Sequence, residues 1–200
     1  MTGSRGEHVE DFIEALKAAF MSSRELTPAI DHFLARLYEG LAAPVRHEKL
    51  QSQQLPVCDH LASAYKVARS GPPEIARLAS ALEDIASTLA WKVRASGGPH
   101  SSINWPDGHA NAVIIGAGGL QQRGDVMIGA SLLAPDVRYP DHNHPPEELY
   151  MVMTPGRFQH GGSPWYDLRP GQTFHNVPNI KHAMASGDSP LLAIWTMVNV

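Results

Sequence analysis

Apolar residues in the first half of the chain recur at helical spacing. Val9, Phe12, Ile13, Leu16 and Phe20 form one stripe, and Ile30, Phe33, Leu34, Leu37 and Leu41 form a second. Leu61, Ala64, Tyr65 and Ala68 make a weaker third, and Ile75, Leu78, Leu82, Ile85 and Leu89 a fourth that runs into Trp91. Helix-stop chemistry separates them at Ser22-Ser23, at Pro44 and at Ser70-Gly71-Pro72-Pro73. From Ser96-Gly97-Gly98-Pro99 onward the pattern changes to short β-branched or alternating segments divided by Gly, Pro, Asp and Asn. This spacing predicts strands over 111–116, 125–134, 137–143, 148–154, 164–169, 172–177, 182–186 and 190–198. Short strands so closely spaced indicate a sandwich, barrel or jelly roll. The chain therefore reads as α+β. A helical N-terminal region, residues 1–95, packs on the second part or on a partner subunit; residues 96–200 form a mainly antiparallel β domain.

Bulk properties narrow the function classes. Two hundred residues suffice to bury a substantial core. A formal charge of -4 and a pI near 6.2, with no basic stripe on the helices, give no reason to expect a nucleic acid partner. The single cysteine, Cys58, rules out a disulfide framework and a thiolate metal site, and reads as a small buried hydrophobe. The first residues lack the apolar core of a secretory signal, and no apolar run approaches a membrane span. The expectation is a cytoplasmic monomer or small homo-oligomer with no membrane association.

The chemistry concentrates in the run Tyr139-Pro-Asp-His142-Asn-His144-Pro-Pro-Glu147-Glu148-Leu-Tyr150, with His182 downstream. On an extended strand side chains alternate, so His142 and His144 share a face, and Glu148, Tyr150 and Val152 share one after the Pro145-Pro146 kink. If that face lines a barrel, imidazoles, a carboxylate and a phenol converge. Nitrogen and oxygen donors of this kind suit one divalent transition ion per chain: Zn, Fe, Mn, Ni or Co. Eleven histidines in the chain make a chance pairing easy, and His8, His32, His47, His60, His100 and His109 are read that way. His160 and His175 are read as supports behind the site or surface residues. For the cluster of four, strand parity and order must both cooperate, which chance does not supply.

These residues resemble the two motifs of the cupin family. His142, His144 and Glu148 fit the first, with Gly156 closing it one residue late; Asp136 stands where its opening Gly is expected. Gly171, Pro178 and His182 fit the second, with the Pro-to-His spacing one residue short. The resemblance covers roughly residues 100–200 and implies a C-terminal cupin β-barrel, jelly-roll-like, with a metal inside. The helical first half and the paired tyrosines further resemble the cupin-type dimethylsulfoniopropionate (DMSP) lyases of the DddQ type. Carried over residue by residue, that resemblance implies metal binding by His144, Glu148, Tyr150 and His182. It also implies a substrate pocket lined by Tyr139 and His142.

The reaction implied is β-elimination of DMSP to acrylate and dimethyl sulfide. A proton beside a free carboxylate is hard to remove, and a divalent cation on that carboxylate eases its loss. Free tyrosine, with a pKa of about 10, is a poor base until a nearby cation favours the phenolate. Tyr150 is the first choice for the base and Tyr139 the second, and Trp105, Trp165 and Trp195 are candidates to face the sulfonium. The alternative is a cupin non-haem iron dioxygenase that uses the same His/Glu site. A DNA-binding sensor would need a basic recognition helix, which the balanced charges of the stripes do not provide. A scaffold cupin would not need an intact ligand set.

Overall fold

The computed structural model describes residues 5–23, 27–47, 50–95 and 97–199. The expected start of the β domain at Ser96 lies outside the described residues. Four α-helices open the chain: α1 (Arg5–Ser22), α2 (Pro28–Leu41), α3 (Leu61–Arg69) and α4 (Pro73–Ala86). Their ends follow local chemistry. Thr27 caps α2 by accepting the Ile30 amide at 3.3 Å, and Pro28 and Pro73 occupy first-turn positions where a missing N–H costs nothing. The four apolar stripes are the buried faces, with Phe12, Phe20, Phe33, Leu37, Leu78, Leu82 and Trp91 fully enclosed. Truncating Phe33 to Ala at such a site costs about 3–5 kcal/mol.

Among the described residues there are ten strands, β1 (Arg46–His47) between α2 and α3 and the others after α4: β2 (His109–Ile115), β3 (Gln121–Gln122), β4 (Val126–Leu133), β5 (Glu147–Val152), β6 (Gly156–His160), β7 (Tyr166–Leu168), β8 (Thr173–Asn176), β9 (His182–Ala185) and β10 (Leu191–Val198). They form a seven-stranded sheet, β1-β3-β2-β4-β10-β5-β8, and a three-stranded sheet, β7-β6-β9. All pairings are antiparallel except β2 with β3.

Period two divides the large sheet between two cores. Leu149 and Met151, Leu192, Ile194 and Val198, and Ile128, Ala130 and Leu132 join the helices in one continuous apolar cluster. Tyr150 and Val152, with Ala193 and Trp195, face the small sheet and pack with Phe158, Phe174 and Met184. The site lies on that second face. An ion pair between Arg36 of α2 and Glu147 of β5, with His175 Nε2 at 2.7 Å from the same carboxylate, ties helix to sheet. Among the described residues no helix is long and apolar enough to cross a membrane.

The strand expectations need correction: the two-residue strands β1, inside the region read as helical, and β3 were not expected, and two larger differences have a physical reason. Residues 137–143 form no ladder; only isolated bridges, Arg138 with Ala185 and His142 with His182, hold this segment to β9. Pro140 offers no N–H at its centre, which removes the ladder bond a strand would need there. Conversely β6 forms from Gly-Arg-Phe-Gln-His, whose one large apolar residue gave no alternation to read. Its glycine is dictated by space, since a Cβ on Gly156 would stand 1.9 Å from Leu191 Cδ1. Asp136 has φ +57°, so the conformation a glycine would adopt there is present without the glycine.

Candidate functional site

His142 and His144 arrive on the segment before β5 and His182 on β9, and each ring is pinned by its own backbone. Their Nδ1 atoms each lie 2.9 Å from a backbone carbonyl two residues away: Pro140, Pro146 and Ile180 respectively. A carbonyl only accepts, so each Nδ1 carries the hydrogen and each Nε2 of a neutral ring presents a bare lone pair. The three groups can offer ring nitrogens that all lie within 4.8 Å of one another. The Nε2 atoms of His144 and His182 are buried without a hydrogen-bond partner among the described residues, and stand 3.4 and 3.2 Å from Glu148 Oε2. Lone pairs facing a carboxylate repel unless a proton or metal cation lies among them. Pinning of one ring nitrogen while the other stays bare is the arrangement that metal-binding histidines use. The donor set fits a divalent transition ion.

Glu148 is fully buried and accepts a hydrogen bond from Asn176 Nδ2 at 3.0 Å; the two residues are directly opposed in the β5–β8 register. His160 Nδ1 lies 3.3 Å from Asn176 Oδ1, which fixes the amide with its NH₂ toward Glu148. Burial pushes the Glu148 carboxyl up, but whenever His144 and His182 carry a proton on Nε2 they outweigh burial and hold it down, at about 2. Burial, then the charge of His182, pushes His142 down to about 3, so this ring is neutral at ordinary pH. For His144 burial lowers the pKa, but the Glu148 carboxylate, which favours a proton on the facing Nε2, outweighs it and the net shift is upward.

Both tyrosines reach the same cavity, about 190 Å³, whose walls also include Arg94, Asn111, Ser131 and Trp195. The Tyr139 oxygen accepts from Asn111 Nδ2 at 3.1 Å, and Ser131 Oγ donates to Asn111 Oδ1 at 2.5 Å, so the amide cannot turn over. Burial raises the Tyr139 pKa, and Asn111 and Arg94 partly offset it. Burial, then the Glu148 charge, pushes the Tyr150 phenol well above its ordinary value.

Every residue singled out in the run 139–150, and His182, therefore meets at one place. Of the three tryptophans, Trp195 lines the cavity. Trp105 stacks on His109 at 4.2 Å and meets Tyr139 edge-on, while Trp165 lies between the guanidinium groups of Arg138 and Arg157. His109, read as a chance histidine outside the metal cluster, is buried. Its Nδ1–H donates to the Trp105 carbonyl and its Nε2 accepts the Arg94 amide at 2.9 Å. Arg94, Asn111 and Asn176 were not anticipated; no local pattern marks them, because strand pairing brings them to the site.

The comparisons with known proteins bear on the fold and the family. The family model for DMSP lyase matches residues 30–193. A solved structure from the DMSP lyases RdDddP and RnDddQII aligns with a TM-score of 0.74 at 21% identity, covering 98% of this chain and 94% of that one. The DMSP lyase DddQ from Ruegeria pomeroyi DSS-3 aligns with a TM-score of 0.72 at 19% identity, over 96% of this chain and 91% of that one. A cupin-2 domain, Rru_A2000 from Rhodospirillum rubrum, aligns with a TM-score of 0.45 at 10% identity, over 56% of this chain and 71% of that one. Among curated proteins no sequence matches. The architecture is the α+β one expected, N-terminal helices preceding a cupin-type barrel. The chain belongs to the DMSP lyase family and is a lyase.

Proposed function

We propose that this lyase cleaves DMSP by β-elimination to acrylate and dimethyl sulfide in the cavity between its two sheets. The observation that carries the reading is the convergence of three backbone-pinned imidazoles on one buried carboxylate, in a cavity that also holds two phenols. His144, Glu148 and His182 would hold a divalent transition ion, with Tyr150 beside Glu148 and the Nε2 of His142 turned to the same point. Bound there, the ion supplies Lewis-acid neutralisation of the substrate carboxylate.

The chain's own residues remove the proton. The base takes the hydrogen from the carbon next to the carboxylate, and that C–H pair becomes the new carbon–carbon double bond. The Cβ–S bond breaks, and dimethyl sulfide leaves with its electrons and needs no acid. The surroundings favour Tyr139 over Tyr150 as the base. Asn111 points an N–H at the Tyr139 oxygen and so supports negative charge there, whereas Tyr150 faces the charge of Glu148. Ser131 keeps Asn111 in the donating orientation.

The test is anaerobic incubation of the purified, metal-loaded protein with DMSP. Headspace dimethyl sulfide and acrylate in equal amounts support the proposal. Turnover that needs oxygen, or no sulfide at all, would refute it and favour the dioxygenase alternative.

A further inference from the structure

An unpaired arginine faces the cavity. Among the described residues the other arginines that are at least partly buried each meet a carboxylate: Arg36 meets Glu147, Arg123 meets Glu10 and Arg138 meets Asp141. Arg94 is half-buried, lines the cavity and meets none. The one carboxylate in that cavity wall, Glu148, is already engaged by His144, His182 and Asn176. A desolvated guanidinium without a counter-charge is costly to keep, and its five donors match a carboxylate in a planar fork.

The backbone around Arg94 is built to hold it there. Lys92 exchanges both backbone hydrogen bonds with Asn111 at 2.9 Å, extending the β2 edge toward the cavity mouth. Two residues on, the Arg94 amide donates to His109 Nε2, and His109 is itself fixed by the Trp105 carbonyl and stacked under the Trp105 ring. The guanidinium shares the cavity wall with Tyr139, and its charge is felt at Tyr139, His142, His144 and Tyr150. Arg94 thus shares the cavity wall with Asn111 and Tyr139, and Met184, Trp195 and Met197 supply apolar lining.

We propose that Arg94 is a second anchor for the substrate's carboxylate, beside the ion that the His/Glu cluster would hold, and so selects for a free acid rather than an ester or amide. The inference rests on the elimination proposed above for the choice of DMSP, but its electrostatic logic holds for any small carboxylate entering this cavity. With the acid end held beside Arg94, the cationic sulfonium end is kept away from the guanidinium, which sets the direction in which a zwitterion enters.

The experiment compares wild type, Arg94→Lys and Arg94→Met. The Arg94 amide bond to His109 belongs to the backbone and survives both substitutions. For metal-loaded enzyme, Arg94→Met is expected to raise KM for DMSP roughly 10- to 100-fold, as loss of a hydrogen-bonded charge does, with a smaller fall in kcat. Arg94→Lys should fall between the two. For metal-free protein, acrylate binding followed by ligand-observed NMR should weaken in the same order. A fall in kcat with KM and acrylate affinity unchanged overturns the proposal and makes Arg94 a support for Tyr139 alone. Unchanged KM with no detectable acrylate binding in any variant overturns it as well. If wild type releases no sulfide while acrylate binding still depends on Arg94, the elimination reading fails and the carboxylate anchor stands.

Discussion

Asn176→Leu would test how the carboxylate of the site is positioned. The Asn176 amide is buried at 1% exposure and gives Glu148 Oε2 its one hydrogen bond from an amide, at 3.0 Å, on a carboxylate that is itself 1% exposed. Leucine has nearly the same volume, so the substitution removes the donor without opening a cavity. His160 is not orphaned by it, because its Nδ1 also lies 3.2 Å from the His175 carbonyl. A hydrogen bond to a buried charged group contributes about 1.5–3 kcal/mol, which at about 1.4 kcal/mol per decade is roughly 10- to 100-fold in affinity. The assay is competition for zinc between the protein and a chromophoric chelator, with the fold checked by circular dichroism. Zinc should bind 10- to 100-fold more weakly to Asn176→Leu than to wild type. A folded variant with unchanged zinc affinity would refute the claim that Asn176 orients Glu148 toward a metal.

Three further outcomes follow from the same geometry. Tyr139→Phe keeps the ring but removes the oxygen that Asn111 supports, so kcat for DMSP should fall by about 10²-fold or more; undiminished dimethyl sulfide release would remove Tyr139 as the base. Burial raises the phenol pKa values of Tyr38 (to about 12), Tyr65, Tyr139 and Tyr150, so above pH of about 10 the unfolded chain releases protons that the folded chain retains. Stability is therefore full below that pH and declines as pH rises toward 12; a Tm that stays flat to pH 11 by calorimetry would contradict this. In Gly129→Ala the new Cβ would meet Trp195 Cζ2 at 2.1 Å and the Ala112 carbonyl at 2.4 Å, so Tm should drop by an amount equivalent to about 1–3 kcal/mol and Trp195 fluorescence should shift; a Tm equal to wild type would count against the packing described.

How much was legible in the sequence depended on distance along the chain. The helices were legible because Phe12, Leu16 and Phe20, or Ile75, Leu78 and Leu82, repeat the period of the face they bury. The strands β4, β5 and β10 were legible because their β-branched and aromatic residues are buried on both sides. Segment 137–143 misled because Val137 and Tyr139 alternate with Arg138, yet Pro140 cannot donate to a ladder. The histidine pair and Glu148 could be found because their spacing is local. Asn176, Asn111 and Arg94 could not: the β5–β8 register sets Asn176 against Glu148, and the Lys92–Asn111 pairing carries Arg94 to the cavity. Those contacts join residues that nothing nearby in sequence links.

The central claim is that the His/Glu cluster holds one divalent ion and that elimination depends on it. Its most direct test is titration of chelator-stripped protein with zinc, or with manganese, iron, cobalt or nickel in turn, while dimethyl sulfide release from DMSP is measured anaerobically. The account predicts negligible release by the stripped protein and, for at least one of these metals, a rise that saturates near one ion per chain. Glu148→Gln and His182→Ala should require far more metal or stay inactive. Full release by the metal-free protein, or none with any of the five metals, would contradict the account.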